Sequence, residues 1–237
     1  MPNFTSTSEA SQSGGIKFLV HGPAGVGKTM LAGTLPDPVI LATKGEGVLS
    51  LSEANQRRVF GDARDIPVIL IEKPTDITDA LKYLKTDTRG KQFESVILDS
   101  VSDMFAIQLT GLKIAFKDPR QAYGELYDKG LGMIRDFKAL PAHVLFVATQ
   151  EKEKDEETGK LLWMASAPGK SLTKDLPYMF DEVFAMQIHA NEKGEKLRWL
   201  LTQLTPQFSA KDRSGALDEY EEPNLSAIID KIRNTSA

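Results

Sequence analysis

Residues 22–29 read Gly22-Pro23-Ala24-Gly25-Val26-Gly27-Lys28-Thr29, a G-x-x-x-x-G-K-[ST] loop directly after the run Ile16-Lys17-Phe18-Leu19-Val20. This pattern constrains the fold strongly, because it works only between the end of a buried strand and the start of a helix. There the glycines let consecutive backbone N–H groups converge on the α- and β-phosphates of a nucleotide, at the positive end of the helix. Gly22, Pro23, Ala24, Gly25, Val26, Gly27, Lys28, Thr29 and Met30 then form the nucleotide-binding segment. Lys28 reaches the β- and γ-phosphates, and the Thr29 hydroxyl coordinates Mg²⁺. A helix-forming stretch at 30–35 follows and is stopped by Pro36. The expected cofactors are ATP and Mg²⁺.

Around the loop, continuously apolar runs at 18–20, 39–42, 68–71, 96–98 and 144–148 alternate with helical spacing at 76–85, 102–116 and 126–140. Runs apolar at every position are strands buried on both faces, so the expected fold is α/β, with a mostly parallel central sheet flanked by helices. Past Thr149 the pattern changes. Residues 150–160 are charged and turn-rich, which fits either a solvated loop or a ligand-gated one. Segments 183–190 and 197–204 flank Asn191-Glu192-Lys193-Gly194-Glu195-Lys196, the signature of an antiparallel hairpin, and 225–232 reads as a short amphipathic helix. Residues 1–15 are rich in Ser, Thr and Gly and read as a flexible tail, leaving 16–237 as a single domain.

Composition excludes several classes. With no Cys, disulfides and thiolate metal sites are ruled out, and the absence fits a reducing cytoplasm. His21, His143 and His189 lie far apart and read as strand-end or surface residues rather than ligands. No span of 18 apolar residues occurs, so the expected location is the cytoplasm, away from membranes. A formal net charge of −4 argues against coating duplex DNA by bulk electrostatics, while local basic loops stay open.

The fourth apolar run ends in Asp99-Ser100, and Asp99 is the natural second partner, with Thr29, for Mg²⁺ or its water shell. AAA+ machines usually place a Glu directly after such an Asp; here that position is Ser100, so the residue that aims the attacking water lies elsewhere. The second strand runs into Lys44-Gly45-Glu46-Gly47 at the carboxyl edge of the sheet, where open α/β sheets bind ligands. Glu46 is therefore the candidate general base.

This order of features resembles the RecA-like ATPases. In them the catalytic Glu follows the second strand, an Asp-Ser pair closes the strand with the Mg²⁺ carboxylate, and a polar residue ends the next strand as γ-phosphate sensor. Glu46, Asp99-Ser100 and Gln150 stand at those places. More specifically, residues 16–233 resemble the compact phage-encoded RecA-like ATPases that include the Sak-type single-strand annealing proteins. The cues are the turn around Glu46, Tyr123-Gly124, His143 before the fifth strand, and Lys211-Asp212-Arg213-Ser214-Gly215. One departure is that this family commonly has Asp where Thr43 and Lys44 end the second strand.

The resemblance implies a RecA-like P-loop core with a C-terminal antiparallel hairpin extension. It also implies Mg²⁺-dependent ATP hydrolysis and a homo-oligomeric ring or filament with ATP at the subunit interface. Lys211 and Arg213 would act there on the neighbour's γ-phosphate. The alternative for both is a solvated basic turn. The implied role is DNA recombination, repair or single-strand annealing, in a bacterial host's cytoplasm, with a single-strand-binding or replication protein as a further partner.

Single-strand binding needs cations for phosphates and flat side chains for bases. Lys152, Lys154, Lys160, Trp163, Lys170 and Lys174 supply one such set and Lys113, Lys117, Arg120 and Tyr123 another; the resemblance favours the first. Trp163 reads equally as a stacking platform or an apolar anchor. A second hypothesis is a nucleotide-gated module of replication or packaging, acting through protein partners without touching DNA. A small-molecule kinase is a third, weakened by the absence of an Arg-rich lid.

Overall fold

The computed structural model describes residues 14–43, 47–154, 159, 161–190 and 193–235. In chain order its strands are β1 (Lys17–His21), β2 (Pro38–Thr43), β3 (Val68–Ile71), β4 (Ser95–Asp99), β5 (His143–Ala148), β6 (Gln150–Lys154), β7 (Leu161–Ala165), β8 (Glu182–Ala190), β9 (Lys196–Leu201), β10 (Lys211–Asp212) and β11 (Tyr220–Glu221). Its helices are α1 (Lys28–Ala32), α2 (Glu53–Phe60), α3 (Pro74–Thr86), α4 (Val101–Ala115), α5 (Pro119–Lys138), α6 (Lys170–Asp175) and α7 (Leu225–Thr235).

Successive strand residues face opposite apolar layers, as the pleat requires. Leu19, Val39, Leu41, Val96, Leu98, Val144 and Phe146 join Ile77, Phe105, Leu126 and Phe137 of α3, α4 and α5. Phe18, Val20, Ile40, Ala42, Ile97, Leu145 and Val147 join Leu31 of α1 and Ile228, Ile229 and Ile232 of α7. Two covered faces account for strands that are apolar at every position.

The main sheet runs β3-β2-β4-β5-β1-β8, all parallel, and is extended by the antiparallel strands β9, β10 and β11. The expected fold class, including the antiparallel β8–β9 hairpin, is what the chain adopts. Register places Ala42, Asp99, Val147, Val20 and Phe184 in one row across β2, β4, β5, β1 and β8. Asp99 therefore stands level with the end of β1, two strands away.

Several expectations need correction. The run at 68–71 is not buried on both faces: β3 is the sheet's edge, and Leu70 is 58% exposed. Residues 150–154 form strand β6, paired with β7 in a separate two-stranded sheet, rather than a loop. In Gln150-Glu151-Lys152-Glu153-Lys154 every side chain is polar, so no apolar alternation advertises the strand. Helix α5 starts at Pro119, not 126: Asp118 caps it, accepting from the Arg120 N–H at 2.9 Å. Helix α3 starts at Pro74, with Asp76 accepting from the backbone N–H groups of Glu72 and Lys73. Helices α2 and α6 carry too few apolar residues to show a period; α2 buries only Gln56, whose Nε2 donates to the carbonyls of Leu51 and Arg64.

Candidate functional site

The loop between β1 and α1 is shaped by its glycines. Gly25 and Gly27 have φ of 75° and 115°, which L side chains rarely adopt. A Cβ on Gly22 would lie 2.8 Å from the Met186 carbonyl oxygen of β8, so a larger residue there would push the loop off the sheet. Val26 is buried and anchors the loop, Pro23 and Ala24 are exposed, and Met30 packs against the core through α1. Lys28 folds over the loop, its Nζ donating to the carbonyls of Gly22 at 2.7 Å and Pro23 at 3.0 Å.

Thr29 and Asp99 are joined directly: the Thr29 Oγ1 donates to Asp99 Oδ2 at 2.6 Å. A hydroxyl from the first helical turn and a carboxylate from the far side of β5 thus meet at one point, an oxygen pair suited to a hard divalent cation. Gly47 packs on this pair at φ 72°; a Cβ there would lie 2.8 Å from Thr29 Oγ1 and 3.1 Å from Asp99 Oδ2. Glu46, the residue before it, lies outside the described residues, as does Lys160.

Gln150 opens β6 immediately beyond the end of β5, beside the buried ring of His21. His21 is held well below the ordinary histidine range by burial, with the Lys28 charge adding to the effect. Its Nε2 lies 2.7 Å from the Ser209 carbonyl oxygen.

A cation that sequence reasoning missed sits on the loop. Arg198 of β9 donates from Nε to the Val26 carbonyl at 2.8 Å, and its side chain crowds Gly27. No motif announces Arg198. The hairpin signal over 183–204 places β9 beside β8, but not the particular register that points residue 198 at the loop.

Lys211 and Arg213 lie at the opposite, amino edge of the sheet. Lys211 pairs with Val183 and Asp212 with Glu182, level with the start of β1. Lys211 Nζ donates to the Pro177 carbonyl at 2.9 Å, and Arg213 Nη1 meets Asp181 Oδ1 at 3.0 Å. Beside them Glu182 is buried; desolvation and the neighbouring Asp212 push its carboxyl up to about 8, while hydrogen bonds from Ser214, Leu217 and Gly215 hold Asp212 below the ordinary carboxylate range despite its partial burial.

The candidate single-strand contacts fall on and near the β6–β7 hairpin. Lys152 and Lys154 are on β6, and the Lys152 ammonium lies 4.6 Å from the centre of the Trp163 ring on β7. Lys170 starts α6, beside a cavity lined by Ser102, Asp103, Glu151 and Glu153. Glu151 is engaged internally, accepting from the hydroxyls of Ser166 and Thr173 at 2.9 Å each. The two basic sets converge: Tyr123 of α5 packs on Gly169, next to Lys170, and Lys113 lies over the Tyr123 ring. Among the described residues no helix is long and apolar enough to cross a membrane.

A family model described as AAA domain matches residues 14–214. Among solved structures the chain is similar to a KaiC-like protein from the hyperthermophilic archaeon Pyrococcus horikoshii, at 12% identity and a TM-score of 0.44, covering 79% of this chain and 78% of that one. No curated protein matches. The matched span takes in the phosphate loop, Asp99, Gln150 and the strands that hold them, and the chain belongs to the AAA domain family of P-loop ATPases.

Proposed function

We propose that the chain hydrolyses ATP with Mg²⁺ as a RecA-like subunit of a homo-oligomer and acts on single-stranded DNA in recombination, repair or annealing, in the manner of the phage-encoded Sak-type proteins. The observation that carries the reading is the Thr29–Asp99 pair at 2.6 Å with Gly47 packed on it. Lys28, Thr29 and Asp99 are the groups that would hold a magnesium-bound triphosphate. Bound Mg²⁺ supplies charge neutralisation at the phosphate oxygens. Glu46 is the proposed general base because its chain neighbour Gly47 touches the pair, and Gln150 is the proposed sensor because it leaves the sheet at the same edge.

Lys211 and Arg213 are proposed to serve a neighbouring subunit. They stand on the amino edge, while Thr29 and Asp99 stand on the carboxyl edge, so supplying them in trans needs one subunit's amino edge on the next one's carboxyl edge. That contact is head-to-tail, which builds rings or filaments. Lys152, Lys154, Lys160, Trp163 and Lys170 are the proposed DNA contacts, with a single domain from residue 16 and a cytoplasmic setting.

ATP turnover per subunit, measured across protein concentrations with and without single-stranded DNA, tests the reading. A rise with concentration and a further rise with DNA are expected; turnover indifferent to both would remove the interface and the DNA contact. The nucleotide-gated module acting through proteins is favoured by one feature, an apolar groove of about 580 Å³ between α3, α4 and α5, lined by Ile77, Leu81, Leu112 and Met133. It requires tight ATP binding with slow turnover and no DNA binding.

A further inference from the structure

We propose that His21 is a positioning residue that ties the phosphate loop to the β6–β7 hairpin through Gln150 and Ser209. The inference rests on the nucleotide-binding reading of the loop. His21 closes β1 one residue before Gly22 and is wholly buried. Its register partners are Ala148 on β5 and Ala185 on β8, small residues on both sides of an imidazole. Any shift of the loop's first residue is therefore felt by a ring with little room to evade it.

The hydrogen bonds define what the ring transmits. The Ser209 carbonyl only accepts, so Nε2 carries the proton and Nδ1 is an acceptor. Burial keeps the ring neutral, consistent with that tautomer. The carboxamide of Gln150 is the ring's other polar neighbour, and neither His21 Nδ1 nor Gln150 Oε1 meets a donor at hydrogen-bond geometry among the described residues. A turn of the amide that brings its N–H to Nδ1 satisfies the ring and leaves Oε1 as the end offered to a further donor, an attacking water included.

On its other side the ring holds a segment stitched to β7. Ser209 donates its N–H to the Trp163 carbonyl, and Trp163 donates its N–H to Gln207, both at 2.8 Å. One side chain thus joins the strand bearing the phosphate loop, the residue that opens β6, and, through Ser209, the strand bearing Trp163, whose ring lies under Lys152 of β6. Seating of phosphates on the loop displaces His21, which re-aims Gln150 and moves Trp163 together. The relay needs no change of charge at His21.

The test reads Trp163 emission during titration with ATP and Mg²⁺ in a Trp199→Phe background, because those are the only tryptophans, with affinity measured separately by calorimetry. The Trp199→Phe protein is expected to show an emission change that follows its binding isotherm. Adding His21→Ala should keep affinity within roughly threefold but abolish most of the emission change. His21→Gln, whose amide can donate to Ser209 and accept from Gln150, should restore it. An undiminished change in His21→Ala, or none in Trp199→Phe despite tight binding, overturns the relay. Absent binding in Trp199→Phe refutes the nucleotide reading instead. If His21→Ala does not fold, hydrogen exchange in the unsubstituted chain decides: the Trp163 and Ser209 amides should gain protection with ATP, and unchanged exchange overturns the proposal.

Discussion

Lys28 and Asp99 are proposed to divide one task, and each has its own expected loss. Lys28→Ala should weaken ATP binding at least about tenfold in calorimetry, since Lys28 is the ammonium placed over the loop. Asp99→Asn should leave Mg²⁺-free binding intact while removing the gain that Mg²⁺ confers. Glu46→Gln should bind ATP normally and hydrolyse it about 100-fold more slowly, the usual scale for a lost general base; full turnover in that variant would assign the water to another residue. Arg198→Ala should raise the ATP dissociation constant roughly threefold to tenfold by freeing the Val26 carbonyl it holds. The phosphate loop was legible because its chemistry demands fixed spacing, and Asp99 because it closes a continuously apolar run. Arg198 was not, because a cation delivered across a sheet depends on strand register, which short-range pattern does not encode.

Elements were readable where burial imposes a period and opaque where it does not. β1, β2, β4 and β5 are covered on both faces and stand out as apolar runs, whereas β6 carries no apolar side chain and shows only alternating charge. The packed layer behind the site tolerates little change: Phe137→Ala, removing a fully buried ring of α5, should cost roughly 3–5 kcal/mol in chemical denaturation. The start of β8 carries a pH signature. Glu182 has its carboxyl raised to about 8 in the fold, so the native state binds a proton that the unfolded chain releases near 4.5. Stability from this group is fully present below about 4.5 and is lost as pH rises to about 8. Denaturation of Glu182→Gln across that window should show a flatter pH dependence than the unsubstituted chain; an identical slope would show that Glu182 ionises freely.

Across the whole molecule the parallel sheet separates two chemistries, with Thr29, Asp99 and Gln150 on its carboxyl edge and Lys211 and Arg213 on its amino edge. Sequence order alone lists these groups without saying that they face opposite ways; the pairing of β10 with the first residues of β8 decides it. If the two edges meet between subunits, Arg213→Ala and Lys28→Ala proteins, each inactive alone, should regain turnover when mixed. Recovery absent at every ratio would leave Arg213 its contact with Asp181 and nothing more. The most direct test of the central claim, that Thr29 and Asp99 jointly hold a magnesium-bound triphosphate, is calorimetric titration of ATP with and without Mg²⁺ into the unsubstituted and Asp99→Asn proteins. Affinity should rise with Mg²⁺ in the first and not in the second; an equal response to Mg²⁺ in both would contradict the site.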